Sequence, residues 1–410
     1  MTGAGTALTA SGVPASSHSE RIVALDALRG IAVAGIALMN VYVYALPPAA
    51  YFNPAAAGSG SALDWMVWGL SFVFIEDKFR SLFAMLFGAG VAILIERSTH
   101  HPMRGHIARM AVLFAIGAAH AILLANNDVL RLYAMAGLFV PLFLGLKARG
   151  LLVAGAILMG LHVLGGSLIA YLWLVAEPGS PVALLPAQVF GTDPMALDYA
   201  QITGTESFAE RVSRRVAGFG DALGTQVAGI PSALATMLVG AALWRNGLLA
   251  GAWDRARCFA LARWMAAVAL PVLVLLILLD IDAGFSGAMV GAVSLFWSLP
   301  FDLLLAVGYA ALVMGFFASR EGPLRARLAA VGRLSLTNYL LTSVVFALLF
   351  TASGLGLFGA LPRSGAFAVS LLPIALMLLW SPLWLAHFRQ GPFEWLWRGL
   401  ARGKFAHLRR

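Results

Sequence analysis

Two residues separated by a short polar turn could exchange a proton with a bound molecule. His120 lies near the end of an apolar segment, and an imidazole can gain or lose a proton near neutral pH. Asp128 follows eight residues later, and a nearby carboxylate can orient such an imidazole and stabilise its charged form. We therefore predict that they act together as a general base. The alternative is that His120 only hydrogen-bonds a neighbouring helix, and that Asp128 forms a local pair with Arg131 at a helix start.

Further polar side chains lie at the ends of neighbouring apolar segments. The cations Lys78, Arg80 and Arg131 could hold an anionic group of a substrate. The alternative for Lys78, which follows Glu76 and Asp77, is that this charged triplet anchors an interfacial helix. The remaining candidate substrate-binding residues at these ends are Tyr44, Tyr51, Asn53 and Tyr133.

Asn40 lies inside the first apolar segment. An amide side chain is costly there unless it is hydrogen-bonded, and intramembrane Asn often joins helices. Tyr44 follows one helical turn later on the same face. Asn40 is therefore either a member of the site or a packing contact.

These residues belong to ten apolar segments, each long enough to cross a bilayer. The segments lie near 27–46, 79–95, 107–125, 129–146, 151–175, 225–244, 259–280, 301–318, 334–352 and 366–386. All but seven of the 28 lysines and arginines fall in the tails or on alternate connectors. Positive loops stay cytoplasmic, so we expect both termini inside and the candidate site at the extracytoplasmic side. The predicted fold class is all-α, a polytopic membrane helix bundle with additional interfacial helices.

Composition agrees with a membrane protein and excludes several other classes. Hydrophobic residues make up 60% of the chain and charged residues 11%, and the mean hydropathy is +0.86. The net charge of +9 is carried by loops, so topology explains it without a nucleic-acid partner. The one cysteine, Cys258, excludes an intrachain disulfide framework and a cysteine metal cluster. We predict no metal site.

The pattern divides the chain into five parts. Residues 1–22 are rich in Ala, Gly, Ser and Thr and are expected to be a disordered cytoplasmic tail. Two five-helix membrane halves, 23–175 and 223–400, flank an extracytoplasmic loop at 176–222. That loop is expected to hold one amphipathic helix from about Ser207 to Phe219, because acidic residues and alternating charge follow Thr205. Residues 401–410 form a basic cytoplasmic tail. Apolar stretches at 62–75 and 286–299 are expected to be an interfacial or re-entrant helix and a half-helix.

Three polar residues form a secondary candidate site on the cytoplasmic side. Ser335, Asn338 and Thr342 share one face at the start of the ninth segment. Polar residues on such a face are more often structural than catalytic.

Several long motifs resemble the YeiB family of bacterial inner-membrane proteins. They match in order and spacing across nearly the whole chain: RIVALDALRGIAVAGIALMN, LPPAAYFNP, KFRSLFAMLFGAG, AAHAILLANNDVLRLYAMAG, GRLSLTNYLLTS and RQGPFEWLWR. The resemblance implies a multi-pass protein of the bacterial inner membrane. It also implies a C-terminal domain of unknown function.

The opening LD-x-LRG-x-A, with an Asn near the end of the first segment, is more distantly similar to a transmembrane acyltransferase superfamily. That superfamily includes heparan-α-glucosaminide N-acetyltransferase, and its enzymes carry acyl groups from a cytoplasmic thioester to an acceptor across the membrane. The resemblance gives Asn40 the role of stabilising charge on the acyl oxygen. The heparan enzyme has a His shortly after this Asn, whereas residues 47–53 here contain none. His120 would have to take its place.

The leading hypothesis is a transmembrane acyl- or group-transferase with His120, Asp128 and Asn40 as catalytic residues. Its donor would be acyl-CoA or another acyl thioester, and its acceptor an unknown small molecule, lipid or glycan. A transporter or exporter of a small or amphipathic molecule is the second hypothesis, since broken helices and a five-plus-five layout fit one. A non-catalytic membrane scaffold is the third. The sequence does not determine whether the protein forms a homo-oligomer.

Overall fold

A computed structural model describes residues 15–97, 102–317 and 322–410, and in these ranges the chain is helical with no β-strand. The helices are α1 (Ala15–Ala45), α2 (Ala62–Phe74), α3 (Lys78–Arg97), α4 (Pro102–Leu123), α5 (Val129–Gly137), α6 (Val140–Phe143), α7 (Ala148–Val175), α8 (Pro181–Phe190), α9 (Pro194–Gly204), α10 (Phe208–Ala217), α11 (Phe219–Ala228), α12 (Ile230–Arg245), α13 (Arg255–Asp282), α14 (Gly287–Ala292), α15 (Leu299–Phe317), α16 (Pro323–Arg333), α17 (Ser335–Phe350), α18 (Arg363–His387) and α19 (Pro392–Arg402). A 3-10 helix, Pro48–Tyr51, follows α1, and a π-helical turn, Val293–Trp297, follows α14.

The predicted class of an all-α polytopic membrane bundle is confirmed. Seven helical runs in the described ranges are long and apolar enough to span a bilayer. The pairs α11–α12 and α16–α17 bend by 51° and 84°, and counting each pair as one span gives up to nine. The expected number was ten. The difference lies in the fourth segment, which forms the short helices α5 and α6 in place of one long helix. The two still lead from the end of α4 to the opposite end of α3, because Arg245 bonds both the Leu144 carbonyl and Glu96.

A proline explains the break in that fourth segment. Pro141 has no N–H to give to the carbonyl four residues earlier, that of Gly137. The Gly137 carbonyl instead accepts a hydrogen bond from His106 Nε2 of α4, at 2.9 Å. The helix stops at Gly137 and restarts at Val140 with the proline in its first turn. The neighbouring helix thus satisfies the polar group that the proline leaves open.

The two halves of the chain are interlocked through α3 and α12. A Cβ on Gly88 of α3 would overlap the carbonyl oxygen of Met237 in α12, and a Cβ on Gly240 would overlap that of Met85. Small residues let helix backbones approach this closely in a membrane. α1 packs against α3, α16, α17 and α18, so it contacts both halves.

Helices α2 and α3 follow each other with a break at residues 75–77, where the Asp77 backbone adopts a positive φ of 57°. α2 occupies the stretch expected to be interfacial or re-entrant. Together α2 and α3 form an apolar run of 36 residues, longer than the roughly 20 residues that a span requires. The charged residues Glu76 and Lys78 are buried at this break.

The connecting segments contain more helix than expected. Residues 176–222 hold α8, α9, α10 and the start of α11 instead of one amphipathic helix. The amphipathic element is α10, and its cap is Ser207, whose hydroxyl and the Glu210 carboxylate form a reciprocal capping box. At the N-terminus, α1 begins at Ala15, within the stretch expected to be a disordered tail. Residues 1–14 lie outside the described residues.

Candidate functional site

His120 lies in a buried polar cluster where the ends of α4 and α5 meet α17. The turn between α4 and α5 reverses the chain after Leu123, so Asp128 returns beside the last turn of α4. α17 supplies Tyr339 and Ser343, which lie four residues apart on one helix face. His120, Asp128 and Ser343 expose 3% of their surface or less.

The His120 ring lies between a carboxylate and a hydroxyl. Its Nδ1 is 2.8 Å from Asp128 Oδ1, and its Nε2 is 2.8 Å from Ser343 Oγ. An ionised carboxylate can only accept, which assigns the proton to Nδ1 and leaves Nε2 as the acceptor for the Ser343 hydroxyl. The three groups therefore form an ordered chain from hydroxyl to imidazole to carboxylate.

Asp128 orients the imidazole and also caps α5. Its second oxygen accepts from the Arg131 backbone N–H at 2.9 Å, the bond expected of an N-cap aspartate. The local role at the helix start and the contact with His120 are thus both present. Tyr339 Oη also donates to the Oδ1 atom, at 3.4 Å.

Gly117 allows this close approach of α4 to α5. An ideal Cβ at Gly117 would lie 2.6 Å from Asp128 Oδ2 and 2.8 Å from the Arg131 backbone nitrogen. Backbone atoms cannot yield as a flexible side chain can. The position therefore excludes any larger residue while the carboxylate keeps its place.

Several buried polar atoms near this cluster have no hydrogen-bond partner among the described residues. They are Arg131 Nε and Nη1 and Gln226 Oε1, and Arg131 Nε lies 3.9 Å from Asp128 Oδ2. The Tyr44 hydroxyl lies beside that of Ser343. Tyr44 packs against Phe346, one helical turn after Ser343 in α17, with ring centroids 5.7 Å apart. Arg131 is fully buried, and its Nη2 donates to the Asn126 carbonyl at 2.8 Å. Buried polar groups usually find partners, so donors left over beside a proton-accepting ring suit a bound ligand.

The helices α10 and α11 lie over the ends of α4 and α5. Gln226 Nε2 of α11 donates to the Asp128 carbonyl at 2.5 Å, and Arg215 of α10 donates to the Ile122 carbonyl at 3.4 Å. Burial lowers the pKa of the Arg215 guanidinium to about 10. Arg211, also in α10, is buried and donates to the Glu206 carbonyl at 3.0 Å. This cover places two cations next to the His120 cluster.

Lys78 and Arg80, predicted to bind an anionic group, lie in a second polar cluster. Lys78 Nζ is 2.6 Å from Asp302 Oδ1 of α15, with both side chains 1% exposed. It also donates to the Phe72 carbonyl at the end of α2. Arg80 is exposed and pairs with Asp77 at 2.8 Å. No contact between described residues joins either cation to His120.

Tyr133, Asn53 and Tyr51 make contacts that hold structural elements together. Tyr133 Oη donates to the Arg80 carbonyl at 2.7 Å. The fully buried Asn53 amide donates to the carbonyls of Phe190 and Phe285, which ties the loop after α1 to the 176–222 segment and to the end of α13. Tyr51 packs edge-on against Phe52.

Asn40 lies half-buried on α1. Among the described residues its side chain has no hydrogen bond to the His120 cluster.

The cytoplasmic candidates are mostly engaged in helix packing. Asn338 donates to the Val331 carbonyl and accepts from Trp380 Nε1 at 2.8 Å. Thr342 gives its hydroxyl to the Asn338 carbonyl at 2.8 Å. Ser335 is half-buried in the first turn of α17. The nearby Glu394 carboxylate of α19 accepts from the backbone N–H groups of Leu336 and Thr337, and burial raises its pKa.

Ser343, Asp302 and the cover by α10 and α11 were missed by the sequence analysis. Ser343 stands four residues after Tyr339, and this spacing places both residues on one face. Nothing in the spacing connects that face to His120, which is 223 residues away.

A basic cleft lies at the end of the bundle opposite to His120. Gly90, Ile93, Leu94, Arg97, Arg109 and Arg402 line it. Three guanidinium groups beside two aliphatic side chains suit an anionic group joined to an apolar one. Arg109 and His120 lie eleven positions apart on the same helix, α4, which corresponds to a rise of about 16 Å.

The chain is similar to several bacterial proteins. The family described as "Protein of unknown function (DUF418)" matches residues 243–404. "Uncharacterized protein YeiB" of Escherichia coli (strain K12) is 33% identical over 390 residues, which cover 93% of this chain and 96% of that protein. "Uncharacterized protein YxaH" of Bacillus subtilis (strain 168) is 27% identical over 394 residues, 93% of this chain and 94% of the relative. No solved structure matches the chain.

Proposed function

The chain belongs to the YeiB family of multi-pass membrane proteins, and we propose that it transfers an acyl group to an acceptor at the extracytoplasmic side of the membrane. The observation that carries the proposal is the position of His120, held between Asp128 and Ser343 at 2.8 Å from each. An imidazole whose one nitrogen is fixed by a carboxylate and whose other nitrogen accepts from a hydroxyl is arranged to remove that proton.

The surroundings of His120 suit the charge that develops in acyl transfer. Attack on an acyl carbonyl places negative charge on its oxygen, which preorganised donors stabilise. Arg131 Nη1 is a buried donor without a hydrogen-bond partner in the described part of the chain, and the Tyr44 hydroxyl lies beside Ser343. Arg211 and Arg215 add positive charge from the covering helix.

The basic cleft supports a donor that enters from the cytoplasmic side. Arg97, Arg109 and Arg402 could bind the phosphates of a nucleotide-bearing thioester such as acyl-CoA. From that cleft the thioester end would need to reach about 16 Å along α4 to meet His120. The elongated arm of such a donor would have to pass between the helices over that distance, and the acceptor would approach below α10 and α11.

A deletion strain tests the proposal. We expect its lipid or glycan profile to lack one acylated product, and the wild-type gene to restore that product. His120→Gln should fail to restore it at normal protein level, since Gln can hydrogen-bond but cannot exchange a proton at neutral pH. The loss should be about a hundred- to ten-thousand-fold in rate.

His106→Gln is the matched control, because His106 is a buried histidine of the same helix that only donates to the Gly137 carbonyl. It should restore the product. Full complementation by His120→Gln would contradict the proposal.

One observation favours transport as a second candidate function. The buried pair Lys78–Asp302 lies at the break between α2 and α3, and intramembrane charges at broken helices mark ion or substrate pathways in transporters. If the protein is a transporter, a gene carrying Asp302→Asn should fail to complement the deletion strain, whereas one carrying His120→Gln should complement it. The opposite pattern supports acyl transfer.

A further inference from the structure

We propose that Ser343 is the nucleophile that carries the transferred acyl group as a covalent ester, an inference that rests on the proposed acyl transfer. Ser343 Oγ is 2.8 Å from His120 Nε2, and the serine is 1% exposed in the middle of α17. With Asp128 on the other nitrogen, the three groups have the order and spacing of nucleophile, base and orienting carboxylate.

The hydroxyl of Ser343 points away from its own helix. A serine or threonine inside a helix commonly bonds the carbonyl four residues earlier, as Thr342 does with Asn338 at 2.8 Å. Ser343 instead bonds an imidazole of another helix. Packing needs no such bond, whereas activation of an oxygen nucleophile requires one.

The imidazole also has no free nitrogen for another hydroxyl. Nδ1 is bonded to Asp128 and Nε2 to Ser343, so the proton that His120 can accept without rearrangement is that of Ser343. If an acceptor alcohol were activated directly, it would have to displace the serine from Nε2. In the observed arrangement, the serine is the first group that His120 deprotonates.

The reaction then has two balanced halves. Ser343 Oγ attacks the thioester carbonyl carbon and its proton passes to His120 Nε2. The carbon–sulfur bond breaks, the departing thiolate takes the proton, and a free thiol and an acyl ester of Ser343 remain. In the second half, an acceptor hydroxyl attacks the ester while His120 takes its proton. The Ser343–acyl bond breaks, and the serine oxygen recovers the proton. No oxidant or reductant is involved.

A covalent intermediate separates the two substrates in time. The thiol can leave before the acceptor arrives, so donor and acceptor need not occupy the buried site together. This is the ping-pong pattern expected of nucleophilic catalysis.

Two probes test the nucleophile on the purified full-length protein in lipid nanodiscs. The first is a reporter-tagged fluorophosphonate, on which an activated serine oxygen displaces fluoride to form a stable phosphonate ester. The second is radiolabelled acetyl-CoA without acceptor. We expect both labels on the peptide that contains Ser343 and on no other serine peptide. Ser343→Ala and His120→Gln should each lower the labelling rate on the order of a thousandfold or more.

Matched variants separate chemistry from folding. Thr342→Ala removes the neighbouring hydroxyl, which bonds only its own helix, and should be labelled as wild type is. Ser343→Cys keeps a nucleophile and should retain acetyl as a thioester that neutral hydroxylamine removes. The melting temperature of each variant shows whether it folds.

Each outcome has one meaning. If the folded wild-type protein is not labelled at Ser343, or if His120→Gln is labelled equally fast, the assignment of Ser343 as the nucleophile is wrong. If Ser343→Ala also restores the acylated product in the deletion strain, transfer is direct and the proposed function survives without the ester. If the deletion strain lacks no acylated product, the proposed function itself fails.

Discussion

Replacing Asp128 by Asn changes the proton position on His120 while keeping a side chain that can cap α5. Asn has nearly the same size and caps helices as well as Asp, so the bond from the Arg131 N–H and the start of α5 should persist. The amide NH₂ would face His120 Nδ1 and donate to it, which forces the imidazole proton onto Nε2. Nε2 would then donate to Ser343 instead of accepting its proton.

The expected loss can be worked out from that tautomer change. The same substitution in a serine-histidine-aspartate site lowers kcat about ten-thousandfold. At 1.36 kcal/mol for each factor of ten, this is about 5.4 kcal/mol of transition-state stabilisation. The cap remains, but the buried Arg131 guanidinium loses the carboxylate that lies 3.9 Å from its Nε, so the melting temperature should fall while the protein still folds. We expect fluorophosphonate labelling of Ser343 and thiol release from acetyl-CoA to fall together in the folded variant.

Asp193→Asn is the matched control, since Asp193 caps α9 by accepting from the Ala196 N–H at 2.9 Å and contacts no histidine. It should leave both rates unchanged. An Asp128→Asn variant that is folded and works within tenfold of wild type would refute the assignment of Asp128 as the group that orients His120.

Three further predictions concern packing and topology. Gly117→Ala should abolish labelling of Ser343, because the added Cβ would collide with the Asp128 carboxylate that orients the imidazole. Gly105→Ala is the control on the same helix: its Cβ meets no atom within 4 Å, so labelling should not change. Lys78→Met should destabilise the protein by about 3–5 kcal/mol, and adding Asp302→Leu should restore most of the melting temperature, since removing one partner of a buried pair costs more than removing both. Reporter fusions after Arg149 and at the C-terminus should both report cytoplasm, and a periplasmic C-terminus would invert the proposed topology.

The part of the site that sequence reasoning predicted is local in the chain. His120 and Asp128 flank a single turn between antiparallel helices, so their meeting follows from the order of elements alone. Ser343 lies 223 residues from His120, and its contribution depends on which face of α17 meets α4. That choice depends on the packing of many side chains, which no short spacing encodes. For the same reason, the pairing of Lys78 with Asp302 could not be predicted from the sequence.

The fold class followed from hydropathy because a bilayer permits few ways to satisfy the backbone. The break inside the fourth segment did not follow, because hydropathy does not register the missing N–H of Pro141. The fourth segment is apolar along its length, but its helix breaks at Gly137. The Gly137 carbonyl accepts a hydrogen bond from His106. Hydropathy alone cannot distinguish a crossing made of two short helices from one made of a single continuous helix.

The Lys78–Asp302 pair also sets an order of events during biosynthesis. Lys78 leaves the ribosome 224 residues before Asp302, which at 5–20 residues per second is about 11–45 s. During that interval an ammonium group, costly in hydrocarbon by about 3 kcal/mol, has no aspartate from α15 to neutralise it. Until α15 is made, the Phe72 carbonyl at the end of α2 is a partner that Lys78 already has. We therefore expect the α2–α3 break to reach its final packing only after the second half has been inserted.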